Sequence, residues 1–150
     1  MTEHMKESDK IIVRFAEEYE KANPQDIVDI CHSLYTKHWN TYFFVDGSNR
    51  AGINLLNVAF DESLNWDTND VSPELMKICP VNFTSEHKQM LSHLHVMVNK
   101  SYLGVSSKYD KLITSLRTAY ATEYSLNKDQ TSYNDLLDAL RLSLKGYNIE

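Results

Sequence analysis

One stretch limits what this chain can fold into more than any other. In residues 41–49, a run of aromatic and β-branched side chains leads into an acid, a glycine and a Ser-Asn pair. Such a run favours a buried strand, and Gly47 favours a turn after it. Asp46 would then end the strand at its carboxyl end, where ligands and metals bind in open α/β sheets. The stretch predicts a strand over 41–46 with Asp46 as a candidate ligand for a hard cation. Capping of the following helix by Asp46 explains the same residues equally well.

The rest of the chain alternates between strand-like and helix-like segments. Strand-like residues occur at 10–19, 75–81 and 101–105, and helix-spaced apolar residues separate them. Asn23 and Pro24 predict the start of a helix that runs to about Trp39. Thr84 or Ser85 is predicted to cap a later helix, and Thr131 or Ser132 the last one. This alternation predicts an α/β sandwich with a central mixed, mostly parallel sheet flanked by helices. Residues 1–9 are predicted to be disordered, and 61–73 to form a surface loop.

Bulk composition narrows the function classes. The chain has 150 residues, a net charge of −6 and a pI of about 5.5, which is typical of one acidic globular domain. This charge disfavours a stand-alone nucleic-acid binder, whose affinity depends on neutralising phosphates. It does not disfavour a nuclease, because metal ions offset the charge of the acids that bind them. No apolar run approaches the ~20 residues of a membrane span, so no membrane association is expected. Cys31 and Cys79 lie in unrelated segments and are predicted to be reduced thiols.

A second pair of acids lies in the final predicted helix. Asp135 and Asp138 are three residues apart, so they lie near one another on one helical face, while Leu136, Leu137 and Leu140 turn the other face inward. On these residues alone, the preference of acids for the first turn of a helix is the stronger explanation. The predicted position of Asp46 at the end of a strand favours a metal-binding role for these acids instead. We therefore hypothesise that Asp46 and Asp135 meet around a divalent metal.

The basic side chains give weaker signals. His87, His93 and His95 share one predicted helix without the four-residue spacing of helical zinc sites, so we interpret them as surface histidines. Lys88 and Lys108 are candidate contacts to phosphate, although scattered lysines are usually just solvated.

Four segments together resemble the C-terminal nuclease domain of the large terminase subunit, the DNA-packaging motor protein of tailed phages and related proviruses. They are residues 42–49, 81–88, 100–105 with the helix around 112–116, and 133–140, and the resemblance covers about residues 11–147. The last segment, which ends in Asp-Ala-Leu, is the most specific. The resemblance implies a ribonuclease H-like fold and cleavage of concatemeric viral DNA with two divalent ions, Mg²⁺ or Mn²⁺, held by three acids. It matches Asp46 and Asp135 to metal ligands and Asp138 to a more variable catalytic helper.

The resemblance also implies partners and a location. Double-stranded DNA would be the substrate, contacted by Lys88 and Lys108, and the site of action would be the cytoplasm of a host cell. A terminase ATPase domain, the small terminase subunit and the portal protein are the implied protein partners. Residues 10–150 would form the nuclease domain.

The chain departs from the family's pattern at its start. The family's first acid lies on an upstream strand, whereas the first strand-like segment here leads into Glu17 and Glu18. We therefore expect a domain that lacks the first acidic strand and the ATPase domain. A catalytically incomplete ribonuclease H-like remnant that acts as a protein-interaction module is the alternative function. Convergence of Glu17 or Glu18 with Asp46 and Asp135 would favour the enzyme. Another ribonuclease H-like nuclease, such as a junction resolvase, is a third interpretation, against which the closing motif argues.

Overall fold

A computed structural model describes residues 1–38, 42–64, 77–122 and 125–147, with the backbone alone at 61–64 and 77. The chain divides into two compact units. Unit 1 comprises Met1–Glu18 and Thr84–Glu150, and unit 2 comprises Tyr19–Phe83. In chain order the elements are β1 (Thr2–Met5), β2 (Lys10–Val13), α1 (Pro24–Lys37), β3 (Tyr42–Asp46), α2 (Arg50–Leu64), β4 (Lys77–Val81), α3 (Phe83–Asn99), β5 (Leu103–Val105), α4 (Asp110–Thr118) and α5 (Asn134–Ser143), which a 3-10 turn extends over Leu144–Gly146.

Unit 1 contains a three-stranded mixed sheet with the order β1-β2-β5. β1 pairs antiparallel with β2, and β2 pairs parallel with β5. The prediction that residues 1–9 are disordered is therefore wrong for Thr2–Met5. The strand is mostly polar, and its order comes from backbone pairing and from the ion pair between Glu3 and Arg14, whose Oε2 and Nε atoms are 2.7 Å apart. A strand at the edge of a sheet needs little apolar character, so its composition resembles that of a disordered segment.

The core of unit 1 lies between this sheet and its helices. Ile11 and Val13 of β2 point into it, and Met97 of α3 and Leu137 of α5 are fully buried. Leu140 and Leu144 follow Leu137 at helical spacing, so one face of α5 and its extension is buried in a continuous stripe.

Unit 2 contains α1, α2 and the parallel pair β3-β4. In this pair Phe44 lies opposite Cys79, and Asp46 opposite Val81. Phe60 of α2 packs against Phe43, with ring centroids 5.8 Å apart. The predicted start of α1 is confirmed. Asn23 Oδ1 accepts from the Asp26 backbone N–H at 2.9 Å, the Asp26 carboxylate accepts from the Asn23 N–H at 3.0 Å, and Pro24 begins the helix.

The predicted α/β class is confirmed, but the described strands form two separate hydrogen-bonded sheets and not one central sheet. Of the predicted surface loop at 61–73, residues 61–64 continue α2, and the remainder lies outside the described residues. No helix in the described part of the chain is long and apolar enough to cross a membrane.

Two predicted helix caps are wrong. α3 begins at Phe83, so Thr84 and Ser85 already lie within its first turn. α5 begins after Tyr133, which adopts the left-handed conformation with φ of 50°. Thr131 does not cap the helix, because it is buried and its hydroxyl accepts from the Tyr120 N–H at 3.1 Å. The Ser132 N–H donates to the Thr118 hydroxyl at 2.9 Å, so this segment bonds to the end of α4.

Candidate functional site

Asp46 ends β3, as its sequence predicts, and its carboxylate organises the turn that follows. Asp46 Oδ1 accepts from both the backbone N–H and the hydroxyl of Ser48, each at 2.9 Å. The Gly47 N–H donates to Val81 O at 2.8 Å, and a Cβ atom on Gly47 would lie 3.0 Å from that same oxygen. A side chain at this position would therefore press tightly against the backbone of β4. Oδ1 is thus bound within the turn, whereas no described residue donates a hydrogen bond to Asp46 Oδ2.

Capping of α2 belongs to another residue. Asn49 Oδ1 accepts from the Gly52 N–H at 3.0 Å, and the Asn49 carbonyl accepts from the Ile53 N–H at 3.1 Å. Asp46 holds the turn before the helix, and Asn49 caps the helix itself. The capping role considered for Asp46 thus falls three residues later in the chain.

The two acids of α5 have different surroundings, although three residues separate them. Asp135 is exposed in the first turn of the helix, and no Lys, Arg or His of the described chain forms an ion pair with it. The Asp138 side chain is only 14% exposed. Its Oδ1 accepts from Arg141, and its Oδ2 lies 3.3 Å from Lys128 Nζ. Cations therefore neutralise Asp138, whereas Asp135 retains its charge at the surface.

Arg141 is the centre of a polar network that sequence reasoning missed. Only 1% of the residue is exposed, and its Nη1 lies 3.1 Å from His87 Nδ1. His87 Nε2 in turn accepts from the Leu126 backbone N–H at 3.0 Å. A signal was present in the sequence, because Arg141 follows Leu137 by four residues and precedes Leu144 by three. A cation on an apolar helical stripe indicates buried polar partners.

The interpretation of the histidines of α3 is right for His95 and wrong for the other two. His95 is exposed, and its Nε2 lies 2.8 Å from Asn99 Nδ2. His87 and His93 are half-buried. Burial lowers the pKa of His87 below its ordinary value, and the positive charges of Arg141 and Lys128 act in the same direction. Burial also lowers the pKa of His93, with a smaller contribution from Lys145.

The remaining residues from the sequence analysis are two lysines and two cysteines. Lys88 and Lys108 are exposed, and Lys108 Nζ lies 4.9 Å from the centroid of the Tyr109 ring. Their contact with DNA stays a prediction. Cys31 is a free, half-buried thiol, and Cys79 is half-buried in β4. Burial raises the pKa of the Cys31 thiol to about 11, which keeps it protonated and a poor nucleophile.

Among the described residues, no group of three or more His, Cys, Asp or Glu is arranged to hold a metal ion. Glu17, Glu18 and Asp135 belong to unit 1, and Asp46 belongs to unit 2. Support for a metal site therefore comes from Asp46 and from Asp135 taken one at a time. Each offers the hard oxygen atoms that Mg²⁺ and Mn²⁺ prefer.

Comparisons of the chain with protein-family models, with curated proteins and with solved structures give no match.

Proposed function

We propose that this chain is a metal-dependent DNA endonuclease domain of the ribonuclease H-like, terminase type. Its substrate is concatemeric double-stranded viral DNA, cut during genome packaging. One observation carries the proposal: Asp46 ends a strand of a parallel pair, at the edge where α/β folds bind ligands, beside a tight glycine turn. The resemblance of residues 42–49 and 133–140 to the terminase nuclease supports it.

The state of the Asp46 carboxylate fits a metal ligand. The two donors from Ser48 fix Oδ1, and with it the plane of the carboxylate, before any ion binds. Preorganisation of this kind reduces the entropy lost when the ligand orders around a cation. Oδ2 has no hydrogen-bond partner among the described residues, so it is available to a hard divalent ion.

Asp135 suits the same role better than Asp138. Its exposed carboxylate forms no ion pair within the described chain, so a metal ion has no protein cation to displace. Asp138 would have to give up Arg141 and Lys128 before it could act on substrate. We therefore assign Asp46 and Asp135 as metal ligands. We assign Asp138 a structural role, in which it stabilises α5 through its ion pairs with Arg141 and Lys128. This revises the catalytic helper role that the resemblance implies for Asp138.

Bound Mg²⁺ or Mn²⁺ would supply an activated water and stabilise the leaving oxygen of a phosphodiester. The protein's own contribution is to orient the carboxylates, and Lys88 and Lys108 would bind the DNA backbone. In the packaging machine the domain would act with a terminase ATPase domain, the small terminase subunit and the portal protein.

The test is a Mn²⁺ titration by calorimetry, with plasmid nicking measured on the same samples. Asp46→Asn removes the charge but keeps an oxygen that accepts from Ser48, so the turn is preserved. Asp135→Asn changes an exposed residue, and Asp110→Asn is its matched control because Asp110 lies in the first turn of α4 and is also exposed. We expect Asp46→Asn and Asp135→Asn to abolish nicking and weaken Mn²⁺ binding at least tenfold, while Asp110→Asn behaves as wild type.

The outcomes separate the enzyme from its alternative. Cleavage at the wild-type rate by either Asp46→Asn or Asp135→Asn would overturn the assignment of that residue. Saturable Mn²⁺ binding without nicking by the wild type would favour the catalytically incomplete remnant that acts as a protein-interaction module. Absence of Mn²⁺ binding by the wild type would leave Asp46 as a turn residue and Asp135 as a first-turn helix acid.

A further inference from the structure

A side chain of α3, His87, accepts a backbone hydrogen bond from the segment that enters α5. We call residues 125–133 the connector. Leu126 of the connector is buried in the core of unit 1, and its backbone N–H donates to His87 Nε2 at 3.0 Å. The next residues form a tight turn, in which Asn127 Oδ1 accepts from the backbone N–H groups of Asp129 and Gln130 at 3.1 and 3.2 Å. The bond from Leu126 thus ties the start of the connector to a side chain of another element.

The protonation state of His87 determines whether this bond can exist. A neutral imidazole has one N–H and one acceptor nitrogen, whereas the protonated ring has two N–H groups and no acceptor. Two donors approach His87, because Arg141 Nη1 lies 3.1 Å from Nδ1 and the Leu126 N–H faces Nε2. The neutral ring accepts from Leu126 when its proton is on Nδ1, and from Arg141 when its proton is on Nε2. The protonated ring can accept from neither, and it adds a positive charge beside the buried guanidinium of Arg141.

We propose that His87 is a pH-sensitive latch: the neutral ring with its proton on Nδ1 accepts the Leu126 hydrogen bond that links the connector to α3, and the protonated ring cannot accept it. The bond that is released is the one from the Leu126 N–H, whereas the Asn127 N–H still donates to Tyr120 O at 2.7 Å and the Leu126 side chain stays in the core. Lys128 of the same connector stays attached to α5 through its ion pair with Asp138, whose Oδ2 lies 3.3 Å from Nζ. Protonation of His87 therefore breaks the hydrogen bond between the connector and α3 and leaves the connector's bonds to Tyr120 and Asp138 in place.

The charges around His87 determine the pH at which the latch opens. From α5, Arg141 opposes protonation and Asp138 favours it, and Lys128 of the connector also opposes it. Glu86, the neighbour of His87 on α3, is already paired with Lys145, whose Nζ lies 2.7 Å from Oε1. Burial is the largest influence, and the net result is a pKa below the ordinary value of 6.5.

The lowered pKa determines how the contribution of His87 to stability changes with pH. Because the pKa of His87 is lower in the folded chain than in the unfolded chain, the fold favours the neutral ring. The contribution of His87 to stability is complete above about pH 6.5 and decreases as the pH falls towards the lower, folded pKa. The latch is therefore closed at neutral pH and opens in mild acid.

The test is amide hydrogen exchange measured by NMR at pH 7.5 and 5.0, with the titration of His87 followed on its own ring resonances. In the wild type, we expect the protection factor of the Leu126 amide to fall roughly five- to tenfold at the lower pH, as for the loss of one hydrogen bond. Its midpoint should coincide with that of His87. In His87→Gln, which keeps an acceptor but cannot titrate, the protection factor should be independent of pH. His95→Gln on the exposed face of the same helix is the matched control and should behave as wild type.

Three results would overturn the latch. One is a Leu126 protection factor that stays constant while His87 titrates in the wild type. Another is the same pH-dependent loss in His87→Gln. The third is an equal loss at the Met97 and Leu137 amides of the core, because it would indicate acid destabilisation of the whole unit, to which His93 contributes. The first and third results need only the wild-type chain, so the test does not depend on how well the variant folds.

Discussion

Unit 1 and unit 2 differ in how their helices are stabilised. In unit 1, α3, α4 and α5 each contribute fully buried side chains to one core. In unit 2, α1 is as regular as these helices but has no buried residue, and its Ile27 is 41% exposed. Among the described residues of unit 2, the buried apolar side chains are Leu56, Phe60 and Val81.

This difference separates the formation of a helix from its contribution to stability. α1 forms because its first turn is satisfied locally by the Asn23–Asp26 capping box and by Pro24, and because its apolar residues recur at helical spacing. Burial, at roughly 25 cal/mol per Å² of apolar surface, contributes most of the free energy of a fold. We therefore expect substitutions in unit 1 to act through lost burial, and those in unit 2 to act largely through lost local hydrogen bonds.

The largest expected effect is a cavity in the core of unit 1. Leu137→Ala removes a fully buried side chain and should lower the free energy of unfolding by about 2–5 kcal/mol. The matched change in unit 2 is Ile30→Ala on α1, where the side chain is only half-buried, so we expect about 1 kcal/mol. Urea denaturation of both variants measures the two values. Equal losses would show that α1 contributes as much burial energy as α5, and the two units would then not differ in how their helices are stabilised.

The next effect tests the two acids of α5. Asp138→Asn leaves the buried guanidinium of Arg141 beside a neutral amide and should cost roughly 2–4 kcal/mol, because the remaining charge is poorly solvated. Asp135→Asn changes an exposed carboxylate, so its effect on unfolding should stay within about 0.5 kcal/mol. Thermal melting of the two variants side by side distinguishes them. A stable Asp138→Asn protein would mean that Asp138 is free for another role.

Local sequence signals predicted the elements that depend on local interactions. The start of α1, the strand that ends at Asp46 and the apolar face of α5 follow from capping residues and from periodicity. β1 could not be found in this way, since its strand character depends on pairing with β2 and not on its own composition. The start of α5 after Tyr133 was missed for a similar reason, because the segment before it bonds to the end of α4.

In the candidate site, the local surroundings of Asp46 were predictable from the sequence, and the long-range contacts of Asp138 were not. The strand and turn around Asp46 are encoded within a few residues, so its position followed from the sequence. The state of Asp138 depends on Lys128, ten residues away along the chain, and on Arg141, which is in turn close to His87. No pattern on a single helix reports such contacts. The position of Arg141 among the leucines of α5 was the one accessible sign that its partners must be buried.

The smallest expected effect examines the local stabilisation of unit 2. Asp46→Ala removes the acceptor for both donors of Ser48 and should cost about 1 kcal/mol, as for loss of a capping side chain. Asp46→Asn keeps one acceptor oxygen, so we expect its loss of stability to stay within about 0.5 kcal/mol. Amide exchange at Ser48, whose N–H donates to Asp46 Oδ1, reports the turn directly. Protection at Ser48 should fall in Asp46→Ala and persist in Asp46→Asn. If both variants lose it equally, the negative charge of Asp46 and not its hydrogen-bonding geometry holds the turn, and Asp46→Asn would no longer separate loss of a metal ligand from loss of the turn.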